Sequence, residues 1–337
     1  MRQIFEEIKA LKIGALSKHE QLVQGVINSL DQRIIKRGDI LPSVNHMSKE
    51  LGFARETVVK GYKILIERGI IESKNRRGYY IANEDTNQHL KVALLLFAFD
   101  TFQETFYQSF RKHLGENIQL DVFFHHNNLE VFEHTVDRIR GKYGMYVIAP
   151  IPSLDVVPIL GTLPLNKFLM VDRFIQLNGD YPYIVQEFEK SSYAAFSSLV
   201  EPIKKFRKFV FFFKSSTSEP DEILRSFKKF IADYNINGEI LDYYEPGSIE
   251  KGNVYFTIHN LELWEMLKDS KNKALVLGKD IGILSHNDDD VKEIIFDGIT
   301  TFSVDFSDMG RKAAHYVLSR VAVKEIMPNV LIRRNSL

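Results

Sequence analysis

The sequence predicts an α/β protein in two parts: an N-terminal winged helix-turn-helix followed by a two-lobed, doubly wound parallel-sheet domain. Three observations carry this reading. Residues 41–80 contain two helical patterns separated by Gly52 and followed by a basic hairpin pattern. Beyond residue 90, short apolar runs alternate with helical stretches, as in parallel sheets covered by helices on both faces. The chain has 337 residues, more than the roughly 250 that one hydrophobic core supports, so at least two domains are expected.

The elements follow in order. Ser17 precedes Glu20 in a capping-box spacing, and Leu22, Val23, Val26, Ile27, Leu30 and Ile34 then recur at helical period, which predicts a first helix ending near Gly38. Leu41-Pro42 breaks the chain, and Ser43 is placed to cap a second helix that buries Val44, Met47 and Leu51. Gly52 supplies the turn. A third helix over residues 55–68 carries Val58, Tyr62, Leu65 and Ile66 inward and stops at Gly69. Residues 70–72 and 79–81 read as two short strands joined by the basic turn 73–78.

In helix-turn-helix docking the third helix enters the major groove by its N-terminal end, and an arginine there can bond a guanine in bidentate fashion. Arg55 is therefore the first candidate for base reading, with Glu56 beside it. Thr57 and Lys60 suit phosphate or mixed contacts, and Ser43 and Asn45 would position the second helix on the DNA backbone. Lys74, Arg76, Arg77 and Gly78 form the candidate wing. The charge distribution agrees: residues 1–82 hold 15 Lys and Arg against 9 Asp and Glu, while the whole chain is neutral. The expected partner is duplex DNA.

Leu41-Pro42-Ser43, the turn Gly52-Phe53-Ala54-Arg55-Glu56-Thr57-Val58 and the wing ending at Gly78 resemble the GntR family of bacterial transcription regulators over residues 17–82. The resemblance implies a homodimer that places two winged helices on a palindromic operator. Three positions depart from the family pattern. Ala54 stands where a capping serine is usual, Val59 where an arginine is frequent, and Arg76 where the first wing glycine is expected. Alanine at a cap costs about 1 kcal/mol, so tertiary packing is expected to hold this helix start.

Residues 82–89 are polar and aperiodic, which predicts a linker and the division 1–82, 83–90 and 91–337. Strands are predicted over 92–97, 120–124, 145–148, 168–171, 209–213, 239–243, 254–257 and 274–277. Helices are predicted over 102–114, 129–140, 191–200, 221–234, 261–268 and 307–320. Some 250 residues of this alternation suffice for two lobes with a cleft between the strand ends, where open α/β sheets bind ligands.

Leu169 to Arg173, Val185 to Lys190, Gly282 to Asp288, Gly298 to Gly310 and the closing Leu331 to Ser336 resemble, in order and spacing, the LacI-family effector domain, which is similar to periplasmic sugar-binding proteins. The resemblance implies a type I periplasmic-binding-protein fold, a monosaccharide as effector and repression relieved by it. Sugar sites pair planar polar side chains with flat apolar faces. The candidates are thus residues just past strand ends: Asp100, Phe102, Asp172, Arg173, Gln186, Glu187, His259, Asn260, His286, Asn287 and Asp288. Phe99 and Phe102 are the ring-stacking candidates. The family's second-lobe sugar-binding arginine has no counterpart, since Ile223 holds its place and Ser226-Phe227 replaces a Gly-Phe; Arg225 lies nearby and joins the candidates. Two alternatives stay open: Asp172-Arg173 as an internal ion pair, and residues 288–290 as a solvated turn.

Cysteine is absent, which excludes disulfides, thiolate catalysis and cysteine-ligated metals. His125-His126 and His134 have no partnered carboxylate spacing, so no metal site is expected. HExxH, P-loop and Gly-x-Ser-x-Gly motifs are missing, which predicts no enzyme and no cofactor. Without a long apolar run or a secretory leader pattern, a cytoplasmic protein without a membrane partner is expected. The competing expectation is a regulator whose degenerate cleft answers to a non-sugar ligand or a protein.

Overall fold

The computed structural model describes residues 2–11, 17–67, 70–74, 78–83, 90–98, 100–116, 118–214 and 219–337. The N-terminal part begins with α1 (Arg2–Ala10), followed by α2 (Lys18–Asp31), α3 (Val44–Leu51), α4 (Arg55–Glu67) and the antiparallel pair β1 (Ile71–Lys74) and β2 (Gly78–Ile81). Helix α1 was not foreseen from the sequence. Its Ile4, Phe5 and Ile8 are buried in the same cluster as Leu22, Val23 and Val26 of α2. Gly25 allows that approach, because a Cβ there would lie 2.3 Å from Ile8 Cγ1.

The Glu20 carboxylate accepts the Ser17 amide at 2.9 Å, so the predicted capping box starts α2. The helix ends at Asp31, earlier than the predicted Gly38: Arg33 turns left-handed at φ 58, and the Ile34 and Ile35 amides fold back onto the Ser29 carbonyl. Ser43 caps α3 through the His46 amide at 3.2 Å, and Gly52 closes it at φ 69. At α4, whose start lacks a capping side chain, Tyr62 donates to the Pro42 carbonyl at 2.6 Å and Val58 and Tyr62 are buried. Tertiary packing thus holds the helix where Ala54 cannot.

The first lobe contains β3 (Lys91–Leu96), α5 (Thr101–Leu114), β4 (Gln119–Phe124), α6 (Leu129–Ile139), β5 (Met145–Ile148), α7 (Val156–Leu160), β6 (Phe168–Asp172) and β7 (Tyr183–Glu187). The chain then enters the second lobe with α8 (Glu189–Ser198), α9 (Val200–Lys204), β8 (Lys208–Phe212), α10 (Asp221–Asp233), β9 (Gly238–Leu241), β10 (Asn253–Thr257), α11 (Asn260–Asn272), β11 (Gly282–His286), α12 (Asp290–Ile294) and β12 (Thr300–Ser303). It returns through α13 (Phe306–Ser319) and β13 (Lys324–Pro328) to the first sheet, then crosses again into β14 (Val330–Ile332) of the second.

Each sheet has six strands, ordered β13-β7-β6-β5-β3-β4 and β14-β12-β11-β10-β8-β9. All neighbours are parallel except β14 against β12. Parallel sheets are covered on both faces, which accounts for the continuous apolar strands. The first lobe packs aliphatic strands against Phe102, Phe106 and Phe110 of α5 and Met309, Ala313 and Val317 of α13. The second lobe is built on phenylalanine: Phe196 sits 5.3–6.0 Å from the rings of Phe209, Phe227, Phe230, Phe256 and Phe302.

One predicted strand is absent. Residues 274–277 form a turn, with Ala274 at φ 53 and the Leu275 amide bonded back to the Ser270 carbonyl. Leu275 and Leu277 pack on the second-lobe core instead, and the strand of that unit is β11. No helix among the described residues is long and apolar enough to cross a membrane.

Candidate functional site

Two sites are built by this architecture. The first is the outer face of α3 and α4. Val58, Tyr62 and Leu65 face the core, while Arg55, Glu56 and Lys60 of α4 are exposed and Thr57 is half-buried. Ser43 and Asn45 are exposed at the start of α3. Val59, where the family often has arginine, is 41% exposed. Gly78 opens β2 at φ 96, a conformation that suits glycine. Lys74 ends β1; Arg76 and Arg77 lie outside the described residues.

The second site is the cleft between the lobes. The chain crosses between them three times, at residues 187–189, 303–306 and 328–330. The first and third crossings are tied together at Asn329, whose side-chain amide donates to the Glu187 carbonyl at 2.8 Å and whose N–H donates to Ser191 Oγ at 3.1 Å. The cleft, about 110 Å³, is lined by strand-end loops of both lobes. It gathers Asp100, Phe102, Asp172, Arg173, Gln186, His259, His286 and Asn287 from the sequence candidates. Phe99 lies outside the described residues.

On the first-lobe wall, Asp172 holds φ 66 and accepts the Gln186 amide at 2.5 Å. Burial pushes its carboxyl up, and Arg173 opposes the shift. The Arg173 guanidinium lies 4.7 Å from the Phe188 ring centre. Burial lowers its pKa, while the charges of Asp172, Glu222 and Glu219 counter that. Thus Asp172 and Arg173 compensate each other and still face the cleft. Gln186 Oε1 is buried without a hydrogen-bond partner, as is Asn287 Oδ1 on the opposite wall. Buried polar atoms are nearly always paired, and these two acceptors lie in the cleft lining, where a ligand's donors can reach them.

On the second-lobe wall, Asn287 also adopts a left-handed φ of 60. Asn and Asp tolerate this region better than other side chains, and strain of this kind concentrates at ligand sites. His286 is enclosed between Phe188 and Phe302. Burial, with the charges of Arg173 and Lys292, pushes its pKa down to about 3, so the ring is neutral. His259 bonds Glu219 at 2.5 Å, and this carboxylate raises its pKa.

Four candidates lie outside the cleft lining. Glu187 spends its carboxylate on α8, accepting the amides of Lys190 and Ser191 at 2.9 and 2.6 Å. Arg225 faces outward on α10, paired with Glu189 at 2.8 Å. Asp288 forms a bidentate pair with Arg334 at 2.6 and 2.8 Å and also accepts Thr301. It is neither a cleft residue nor a solvated turn. Asn260 stands at the edge, its amide 3.2 Å from Asp100 of the facing lobe.

Sequence reasoning missed the cleft residues Glu219 and Pro220 ahead of α10, and Lys292 beneath the cleft loop. Lys292 is fully buried and donates to the His286 and Asn287 carbonyls at 3.0 and 2.8 Å. Its burial pushes its pKa down to about 8. His125 bonds the Ala149 carbonyl through Nε2 at 2.9 Å and accepts the Asn127 amide at 3.1 Å on Nδ1, so both nitrogens serve the loop. Among the described residues no cluster of three or more His, Asp or Glu is arranged to hold a metal.

A larger space of about 730 Å³ lies between α2 and the underside of the first lobe, near Lys91, Gly144 and Tyr181. It sits at the strand starts, whereas ligands of open parallel sheets bind at the strand ends. The cleft is therefore the small-molecule candidate.

Residues 18–81 match the family described as bacterial regulatory proteins of the gntR family. No curated protein matches the chain. Among solved structures, a LacI family transcriptional regulator from Lactobacillus casei with bound glucose is 13% identical, with a TM-score of 0.62 over 73% of this chain and 99% of that one. The trehalose repressor from Escherichia coli is 10% identical, with a TM-score of 0.61 over 72% and 99%. The transcriptional regulator CelR in complex with cellobiose is 14% identical, with a TM-score of 0.58 over 88% and 100%. Residues 18–81 are thus a DNA-binding domain of the GntR family, joined to a two-lobed domain with the fold of LacI-type effector domains.

Proposed function

We propose that this chain is a transcription repressor whose affinity for a palindromic operator is controlled by a monosaccharide bound in the interlobe cleft. The observation that carries the reading is the cleft lining: Gln186 Oε1 and Asn287 Oδ1 are buried acceptors without partners, in a cleft also lined by Asp172, Phe102 and Phe188. An acceptor-rich lining with flat apolar faces fits a ligand that presents several hydroxyl donors and a C–H face. The solved structures of the same fold that hold glucose and cellobiose support a sugar.

In this reading Asp100, Asp172, Arg173, Gln186, His286 and Asn287 bind the effector. Arg55 and Glu56 read bases, Thr57 and Lys60 contact the major-groove backbone, and Ser43, Asn45 and the wing fix register. The division of labour is 1–82 for DNA and 91–337 for effector and homodimerisation, in the cytoplasm, without catalysis. A sugar can shift operator affinity only through its different affinities for two arrangements of the lobes.

The test is fluorescence anisotropy of operator duplexes selected from a random pool, titrated with and without each sugar that gives a saturable thermal shift. A change in operator affinity of about fivefold or more supports the reading. A sugar that binds saturably and leaves operator affinity unchanged would sink the regulatory coupling.

A further inference from the structure

Among the described residues, a pair of hydrogen bonds crosses the cleft between the lobes at two helix starts. Asp100, which caps α5 of the first lobe through the Thr101 amide at 2.7 Å, also accepts Asn260 Nδ2 of the second lobe at 3.2 Å. Asp289, which caps α12 of the second lobe through the Lys292 amide at 3.0 Å, accepts Thr101 Oγ1 of the first lobe at 2.7 Å. Each lobe thus offers a capping carboxylate to a helix start of the other. A cap carboxylate is already held by its own helix, so little side-chain freedom remains to be lost on closure.

The position matters as much as the bonds. In the first sheet β3, which leads to Asp100, lies three strands away from β7, which leads to the hinge. The cleft is lined from Gln186 and Phe188 beside the hinge to Asp100 beside the bonds. Hinge and bonds therefore bracket the cleft from two sides. The cleft volume of about 110 Å³ is also well below the roughly 300 Å³ at which drug-sized ligand pockets begin.

We propose that the Asp100–Asn260 and Thr101–Asp289 bonds form a latch that sets ligand size, admitting one sugar ring and rejecting a second. This rests on the monosaccharide reading above and adds the residues that enforce its size limit. A disaccharide would hold the lobes apart and break both bonds, so it forfeits the closed arrangement that a single ring leaves intact. Thr101 and Asn260 are then specificity residues that act on the cleft's closure rather than by touching the ligand.

The experiment compares the wild-type chain with Thr101→Val/Asn260→Ala by thermal shift and titration calorimetry, against a panel of pentoses and hexoses and against cellobiose, trehalose and sucrose. The wild type is expected to bind a monosaccharide and no disaccharide. The double variant is expected to bind that monosaccharide about tenfold more weakly and to gain a saturable disaccharide response. Thr101→Ser keeps the hydroxyl and should behave as wild type; operator binding checks that every variant is folded, and Thr101→Val alone serves if the pair is not. A wild type that binds disaccharides, or a folded latch variant with unchanged preference, overturns the latch and leaves the sugar reading standing. A panel without any saturating sugar overturns both.

Discussion

The DNA-facing surface and the cleft solve recognition by opposite physical means. On α4 the relevant charges, Arg55, Glu56 and Lys60, are exposed, so their energy is Coulombic, long-ranged and screened by salt. In the cleft the relevant groups are buried: Asp172, Gln186, His286 and Asn287 are each less than a tenth exposed. Their energy lies in desolvation and hydrogen bonding, which salt screens weakly and protons alter directly. The contrast teaches where each site is vulnerable. The first loses affinity in proportion to ions, the second to any change that strands or charges a buried group.

Lys292 is the severest way to test the cleft side. Its ammonium holds the two carbonyls that carry His286 and Asn287, and the Asp289, Asp288 and Asp100 charges stabilise it. Lys292→Met keeps the chain length and removes the donor, stranding both carbonyls. Because bonds to charged groups contribute about 1.5–3 kcal/mol each, a loss of about 3 kcal/mol in urea unfolding of the effector domain is expected. The salt dependence of DNA binding should not change. A stability loss below about 1 kcal/mol would mean that the loop is held by something else.

Protons come next. His286 and His125 are buried, with pKa values pushed down to about 3 and about 4. An unfolded histidine titrates near 6.5, so below that pH the unfolded chain binds protons that the folded chain refuses. Stability therefore falls as pH drops from about 6.5 towards 4, at up to about 1.4 kcal/mol per pH unit for each ring. His259 works the other way: Glu219 raises its pKa, so its contribution is present at low pH and lost as pH rises through the raised value. Asp172, raised by burial, also opposes the fall. Imidazole proton NMR separates them. His286 should stay neutral at pH 4.5 while His259 is charged, and a His286 midpoint above 6 would show that the cleft wall is wet.

On the DNA side, Arg55→Ala should weaken operator binding by about 1–3 kcal/mol and relax base preference, leaving folding and sugar binding untouched. Uniform weakening across all duplexes would make Arg55 a phosphate contact instead.

The two regions also differ in how far the sequence reveals them. The winged helix is local: Ser43, Gly52, Arg55 and Gly78 lie within 36 residues, and helical period alone puts Val58 and Tyr62 inside and Lys60 outside. Strand-end logic likewise brought eight of the twelve nominated polar and aromatic effector candidates from Asp100 to Asp288 to the cleft. What failed was non-local. Asp288 is taken by Arg334, 46 residues away, and no pattern near Lys292 announces a buried ammonium. Arg225 was readable, since its outward face follows from Ile223, Phe227 and Phe230 packing inward. Glu219 obeys the same strand-end rule, beyond β8, and was passed over for lack of a motif. Helix α1 carries its apolar residues at helical period but lies ahead of the family signature, so no motif marks it.

The smallest effect sharpens the comparison most cleanly. Lys60 is exposed one turn beyond Arg55 on α4, at a position suited to a phosphate oxygen rather than a base edge. Lys60→Ala should weaken binding to operator and to random duplex alike, and lower the slope of log affinity against log salt by about one. The monosaccharide response should be unaffected in both size and pH dependence. If the slope stayed at its wild-type value, α4 would meet the backbone by another edge. If the pH dependence moved with it, the two sites would share an electrostatic field, and the separation between a screened surface and a desolvated cleft would no longer hold.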